Sequence, residues 1–242
     1  MSAEREAEAI AERYARRQAL ERYSMLRPEV WQSVQERQRA MLRLFARAGL
    51  RDLSSLRLLE VGCGAGGNLL EMLRLGFAPQ HLSGIELLPE RVAMARAVLP
   101  AALALSEGDA LQAPVAAQSL DIVFVSTVFS SLLDDAYQQR LADAMWAWLK
   151  PGGAVLWYDF TLDNPRNPDV RGVPLRRVCE LFPGAVTTRQ RVTLAPPLAR
   201  TVCRWHPGLY GVFNALPWLR THLLAWLEKP PSAQMHSNAE MA

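Results

Sequence analysis

Lysine is almost missing from this chain: Lys150 and Lys229 are the only two among 27 basic residues, and the rest are arginine. A Lys-rich nucleic-acid patch is thereby excluded. Cysteine is scarce as well. Cys63, Cys179 and Cys203 are odd in number and widely spaced, which excludes a disulfide framework or a Cys-based metal cluster. That usage fits a reducing compartment, the cytoplasm by default. No apolar run approaches the roughly 18 residues of a membrane span. The start of the chain alternates Glu and Arg, unlike the apolar core of a signal peptide. Neither repeats nor low-complexity stretches occur. What is plentiful is hydrophobicity, half of 242 residues, enough to bury a full core as one domain plus an extension.

The charge is unevenly spread. Residues 1–50 carry ten Arg against seven Glu, residues 51–150 seven basic against eleven acidic, and residues 151–242 ten basic against six acidic. An acidic middle between basic flanks suits a cationic cofactor and an anionic substrate, or simply solvated faces; both readings stay open.

Residues 56–61 are short and mostly apolar, as a strand buried on both faces must be. Glycine follows at 62, 64, 66 and 67, and an amphipathic stretch begins at Asn68. Strand, glycine turn and helix together bring backbone and free helix N–H groups close to a nucleotide. The spacing reads two ways. Gly62, Gly64 and Gly67 satisfy the dinucleotide pattern G-x-G-x-x-G, while Glu60 with Gly62, Gly64 and Gly66 satisfies E-x-G-x-G-x-G. A carboxylate ending a buried strand needs a donor or a cation; an ammonium suits it and a pyrophosphate does not. A glycine turn without any ligand is the bland alternative.

Along the chain, residues 4–23 read as a helix with Ala7, Ile10, Ala11 and Tyr14 on one face, serving as a lid or packed on the outside. A second helix from Pro28 carries Trp31, Val34, Met41, Leu42, Phe45 and Ala48 as its apolar stripe and ends at Gly49. Further strands are expected at 81–86, 102–106, 120–126 and 154–160, alternating with helices, with a Lys-Pro-Gly-Gly turn at 150–153. That alternation predicts a doubly wound α/β sheet. A loop spans 163–169, a short helix 174–182, and two last strands 186–194 and 220–227. Between these lies a Pro- and aromatic-rich insertion with Trp205, His206, Tyr210, Phe213 and Trp218. The expected division is a helical extension over 1–50, a main domain over 51–230 and a polar, disordered tail over 231–242.

Five pieces in order resemble the class I S-adenosylmethionine (SAM)-dependent methyltransferases: Glu60-Val-Gly-Cys-Gly-Ala-Gly66, Gly84-Ile-Glu86, Gly108-Asp109-Ala110, the strand over 120–126, and Leu149-Lys-Pro-Gly-Gly153. The resemblance implies a Rossmann-like, mostly parallel seven-stranded sheet whose last strand is antiparallel, with SAM as cofactor. It implies that Gly62, Cys63, Gly64 and Gly66 lie under the methionine part beside Glu60, and that Glu86 holds the ribose hydroxyls next to Leu87. Asp109 would take the adenine amino group between Gly108 and Ala110, and Ser126 would close the set of cofactor contacts. No metal is implied.

Ser126-Thr-Val-Phe129 stands where exocyclic base-amine methyltransferases carry Asn/Asp-Pro-Pro-Tyr/Phe, and no cysteine follows a proline, so DNA is not the expected acceptor. A loose likeness over 164–171, 194–200 and 219–226 to small bacterial glycan or secondary-metabolite enzymes points to methylation of an oxygen, with nitrogen second, on a small-molecule or glycan-like acceptor. Asp159, ending the fifth strand, and His206, in the insertion, are the candidate bases. The alternatives are an RNA or protein methyltransferase, and an NAD(P)-dependent oxidoreductase. Against the latter, no tyrosine has Lys four residues on.

Overall fold

The computed structural model describes Ala9, Glu12, Arg13, residues 24–163 and residues 167–231. The helix expected over 4–23 and the tail beyond 231 therefore lie outside the described residues, apart from Ala9, Glu12 and Arg13, which are helical.

Seven strands form one sheet: β1 (Leu58–Val61), β2 (Leu82–Glu86), β3 (Ala104–Glu107), β4 (Leu120–Ser126), β5 (Leu149–Phe160), β6 (Val186–Leu194) and β7 (Arg220–Glu228), in the order 3-2-1-4-5-7-6. Strands 1 to 5 pair in parallel, and β7 runs antiparallel to both β5 and β6. The helices are α1 (Pro28–Arg47), α2 (Gly67–Leu75), α3 (Pro89–Val98), α4 (Asp135–Trp148), α5 (Leu175–Leu181), α6 (Pro196–Trp205) and α7 (Leu209–Asn214). The doubly wound sheet with an N-terminal helix is as expected.

Strand periodicity divides the core. On β4, Val123 and Val125 face a cluster with Met145 and Trp148 of α4 and Val178 of α5. Ile122 and Phe124 face the opposite cluster, with Met41 and Phe45 of α1, Leu69 of α2 and Ala95 of α3. The one charge in β4, Asp121, accepts from Arg57 N at 2.9 Å and Lys150 Nζ at 2.7 Å. A smaller cluster of Leu194, Ala199, Val202, Cys203 and Tyr210 lies under the insertion.

Three expectations change in detail, and the insertion, given no element from sequence, acquires helices. Helix α1 buries Glu36, Ala40, Met41, Leu44 and Phe45, whereas Trp31 and Leu42 are each 47% exposed. Its inward stripe is set by contacts with β6 and β7 and is shifted around the axis from the purely apolar reading. The Lys-Pro-Gly-Gly segment is part of β5, with Gly152 at φ +80°. Strand β3 runs two residues later than expected and is largely exposed at the sheet edge. The insertion is helical, containing α6 and α7.

Candidate cofactor site at the carboxyl edge

The strand order reverses between β1 and β4, and open α/β sheets bind ligands beyond the carboxyl ends of the strands at such a point. The glycine turn follows β1 there. Gly62, Gly64 and Gly66 have φ of +68°, +55° and +83°, a region costly for any residue with a Cβ. A Cβ on Gly62 would also lie 2.6 Å from Val128 Cγ2, in the loop after β4. Gly67 differs: it has ordinary helical backbone at the start of α2, and a Cβ there would meet nothing within 4 Å. The glycine requirement thus falls on 62, 64 and 66, the spacing of E-x-G-x-G-x-G, and not on G-x-G-x-x-G.

Glu60 is wholly buried at the mouth of this turn. Its Oε1 accepts from Asn68 Nδ2 at 2.6 Å, and its Oε2 has no partner. Burial pushes its carboxyl up to about 8, against the opposing pull of the Asn68 bond and the Arg37 charge. Asn68 is oriented from α1. Arg37 Nη2 donates to Asn68 Oδ1 at 2.8 Å and to both Glu71 oxygens at 3.0 and 3.1 Å. Because a guanidinium only donates, the Asn68 amide nitrogen must face Glu60.

Glu86 ends β2 and fastens the turn. Its Oε2 accepts from Gly64 N at 2.8 Å and its Oε1 from Leu88 N at 3.0 Å, leaving one lone-pair direction on each oxygen. Leu87 beside it is half-buried, and Cys63 is buried with its thiol pushed up by desolvation. Asp109 lies beyond β3, after Gly108 at φ +123° and before the buried Ala110. Its Oδ1 accepts from Leu111 N at 2.9 Å and from Tyr137 Oη at 2.5 Å. Ser126 ends β4, followed by Thr127 at φ +55°, an uncommon conformation for a β-branched residue. So Glu60, Gly62, Cys63, Gly64, Gly66, Glu86 and Leu87 gather at the ends of β1 and β2, with Gly108, Asp109 and Ala110 beyond β3 and Ser126 beyond β4.

The two candidate bases are not brought together. Asp159 is 1% exposed; Oδ2 accepts from Ser130 N at 3.0 Å and Oδ1 from Phe160 N at 2.9 Å, and burial pushes it up to about 7. Arg171, a conceivable partner, pairs instead with Asp135, and Arg166 lies outside the described residues. His206 is exposed just past α6, where its Nδ1 accepts from Gly208 N at 3.0 Å.

Sequence reading missed the polar groups packed between α1 and the carboxyl ends of β5 and β6. Glu36 Oε2 accepts from Thr193 N at 2.8 Å and from Tyr210 Oη at 3.0 Å. Arg37 also lies over the Tyr158 ring at 5.1 Å. Tyr158 stacks on His222, whose burial pushes the imidazole down to about 4 and keeps it neutral. These partners lie up to 174 residues apart, so no local motif contains them. Only Asn68, in the first turn after the glycines, was within reach of a motif-based argument.

A buried carboxylate with one open oxygen, beside a turn whose glycines hold left-handed backbone, fits a ligand bearing a cation near the end of β1. Residues 58–153 match the family described as a methyltransferase domain. No curated protein matches the chain. Solved structures agree in fold. A SAM-dependent methyltransferase from Mesorhizobium loti is 17% identical with a TM-score of 0.56, covering 76% of this chain and 95% of its own. One from Archaeoglobus fulgidus is 13% identical at 0.57, covering 79% and 94%. Phosphoethanolamine N-methyltransferase 2 of Haemonchus contortus, solved with SAM, is 18% identical at 0.56, covering 79% and 52%. Residues 58–153 thus carry the match to a methyltransferase domain, on a sheet whose fold solved SAM-dependent methyltransferases share.

Proposed function

We propose that the protein is a class I SAM-dependent methyltransferase and that it methylates an oxygen of a small-molecule or glycan-like acceptor. The supporting observation is that α1 and α7 are tied to the carboxyl end of β6 through the bonds of Glu36 to Thr193 N and Tyr210, which fixes the insertion beside the carboxyl edge. An edge flanked in this way suits a compact acceptor better than a nucleic-acid duplex. The Haemonchus neighbour acts on a nitrogen of phosphoethanolamine by its name, which makes nitrogen the second choice.

Bound SAM supplies an electrophilic methyl group on its sulfonium, so the chain's task is binding, alignment and exclusion of water. In our reading Glu60 Oε2 takes the ammonium of the methionine part over Gly62, Cys63, Gly64 and Gly66. Glu86 gives its remaining lone pairs to the ribose hydroxyls beside Leu87. Asp109, Gly108 and Ala110 receive the adenine, and Ser126 borders the acceptor side. Asp159 we assign to bracing the loop over 127–131, since both its oxygens accept backbone N–H groups. His206 is spent on its own turn. Neither then removes the acceptor's proton, which leaves to solvent.

The test is transfer of labelled methyl from SAM across a panel of alcohols, sugars, amines, RNA and proteins. Turnover with hydroxyl acceptors is expected. Turnover confined to RNA or protein would replace this reading with the macromolecular one.

A further inference from the structure

The insertion between β6 and β7 presents a surface that methyl transfer does not use. From residue 181 to residue 227 the chain has no Asp or Glu but five arginines, at 189, 191, 200, 204 and 220. Helices α6 and α7 bury Ala199, Val202, Cys203 and Tyr210 against Leu194, so their opposite sides point away from the body. There Trp205 is 84% exposed, Val212 64% and, in the next turn, Trp218 71%. Arg200 and Arg204, also exposed, are four residues apart and share one stripe of α6. The two indoles alone leave roughly 300 Å² in contact with water. Leu26, just before α1, is 94% exposed. Helix α1 packs against α6.

Three occupants differ in what they would ask of this face. A second copy related by a two-fold axis would bring arginine stripe to arginine stripe. RNA would use the arginines and indoles but leave Val212 and Leu26 without a partner. An anionic bilayer uses everything: indoles at headgroup level, aliphatic side chains below them, arginines on phosphate.

We propose that this insertion is a peripheral docking element for anionic lipid surfaces, with Trp205 and Trp218 in the interface and Arg200 and Arg204 on the headgroups. Strand β6 ends and β7 begins at the carboxyl edge, so docking turns the methyl-transfer edge toward the membrane. An acceptor carried by or dissolved in lipid then follows, and only that last step rests on the acceptor reading above.

The experiment is flotation of the full chain with phosphatidylcholine vesicles, with and without about one-third phosphatidylglycerol. Wild type is expected to float with the anionic vesicles only, and less so at high salt. Trp205→Ser with Trp218→Ser, and separately Arg200→Gln with Arg204→Gln, should each weaken binding at least tenfold, by about the two-residue contributions known for such surfaces. All four positions are exposed, so melting temperature and SAM titration should match wild type. Lost SAM binding would count against the cofactor site, not the docking face. No flotation with anionic vesicles, or flotation undiminished in both variants, overturns the proposal. So does indifference to lipid combined with RNA binding or self-association that needs the same tryptophans.

Discussion

Asp109 performs two jobs with one carboxylate. Its Oδ1 closes the turn over Ala110–Gln112 and holds the Tyr137 hydroxyl, which leaves Oδ2 for adenine in our reading. Asp109→Ala is therefore expected to weaken SAM by about 1.5–3 kcal/mol and also to lower the melting temperature, since it strips a charge-assisted bond and a cap. Tyr137→Phe should cost about 0.5–1.5 kcal/mol of stability and leave SAM affinity within twofold. Calorimetric titration and thermal melts of both variants separate the two jobs. Asp159 makes the opposite case. Asp159→Asn places an N–H donor against Ser130 N or Phe160 N, so stability should fall by about 1–3 kcal/mol while kcat stays within about threefold. A kcat loss beyond tenfold, with the pH–rate limb near 7 removed, would show that Asp159 is a base. At this scale the sequence reveals residues whose chemistry is local: Glu60, Glu86 and Asp109 each lie within two residues of a glycine. Arg37, Tyr137 and Tyr210 are hidden, because each meets its partner only through the fold.

The glycine turn and helix α1 are the elements on which the site depends. Gly62→Ala puts a methyl group 2.6 Å from Val128 Cγ2 at a positive φ; expected are a lower melting temperature and SAM binding weakened at least tenfold. Gly67→Ala adds a methyl into open space on ordinary helical backbone and should be neutral, or stabilising by about 0.5–1 kcal/mol. The reverse ranking in titration would restore the dinucleotide spacing. The five parallel strands, and the helices that follow β1, β2, β4 and β5, were legible from apolar runs bounded by Gly and Pro. The stripe of α1 was not, because Glu36 and Arg37 are polar residues turned inward to meet partners on β6, α2 and α7, and hydrophobic periodicity cannot see that. Nor was the helicity of the insertion, to which its Pro-rich composition assigned no element although Pro196 and Pro197 sit in the opening turn of α6.

For the whole molecule, the cofactor edge is a store of unfavourable charge. Folding raises Glu60 from 4.5 to about 8 and Asp159 from 3.8 to about 7. A carboxyl raised in the folded state binds more protons there than in the unfolded chain, so it costs nothing at low pH and a growing penalty as pH climbs toward the folded value. His222, lowered from 6.5 to about 4, adds its own penalty only as pH falls below 6.5. Between pH 6.5 and 8 the carboxylates act alone. The ligand-free melting temperature should fall across that window, and the fall should shrink in Glu60→Gln. The measurement that tests the account most directly is a calorimetric titration with SAM at both ends of it. Binding the ammonium requires ionised Glu60, so the wild type should release a proton on binding at pH 6.5 and gain about tenfold in affinity by pH 8. Glu60→Gln should bind more weakly, with no such gain from the protein. Equal SAM affinity in wild type and Glu60→Gln at both pH values, with no proton released, would contradict the placement of the cofactor on Glu60.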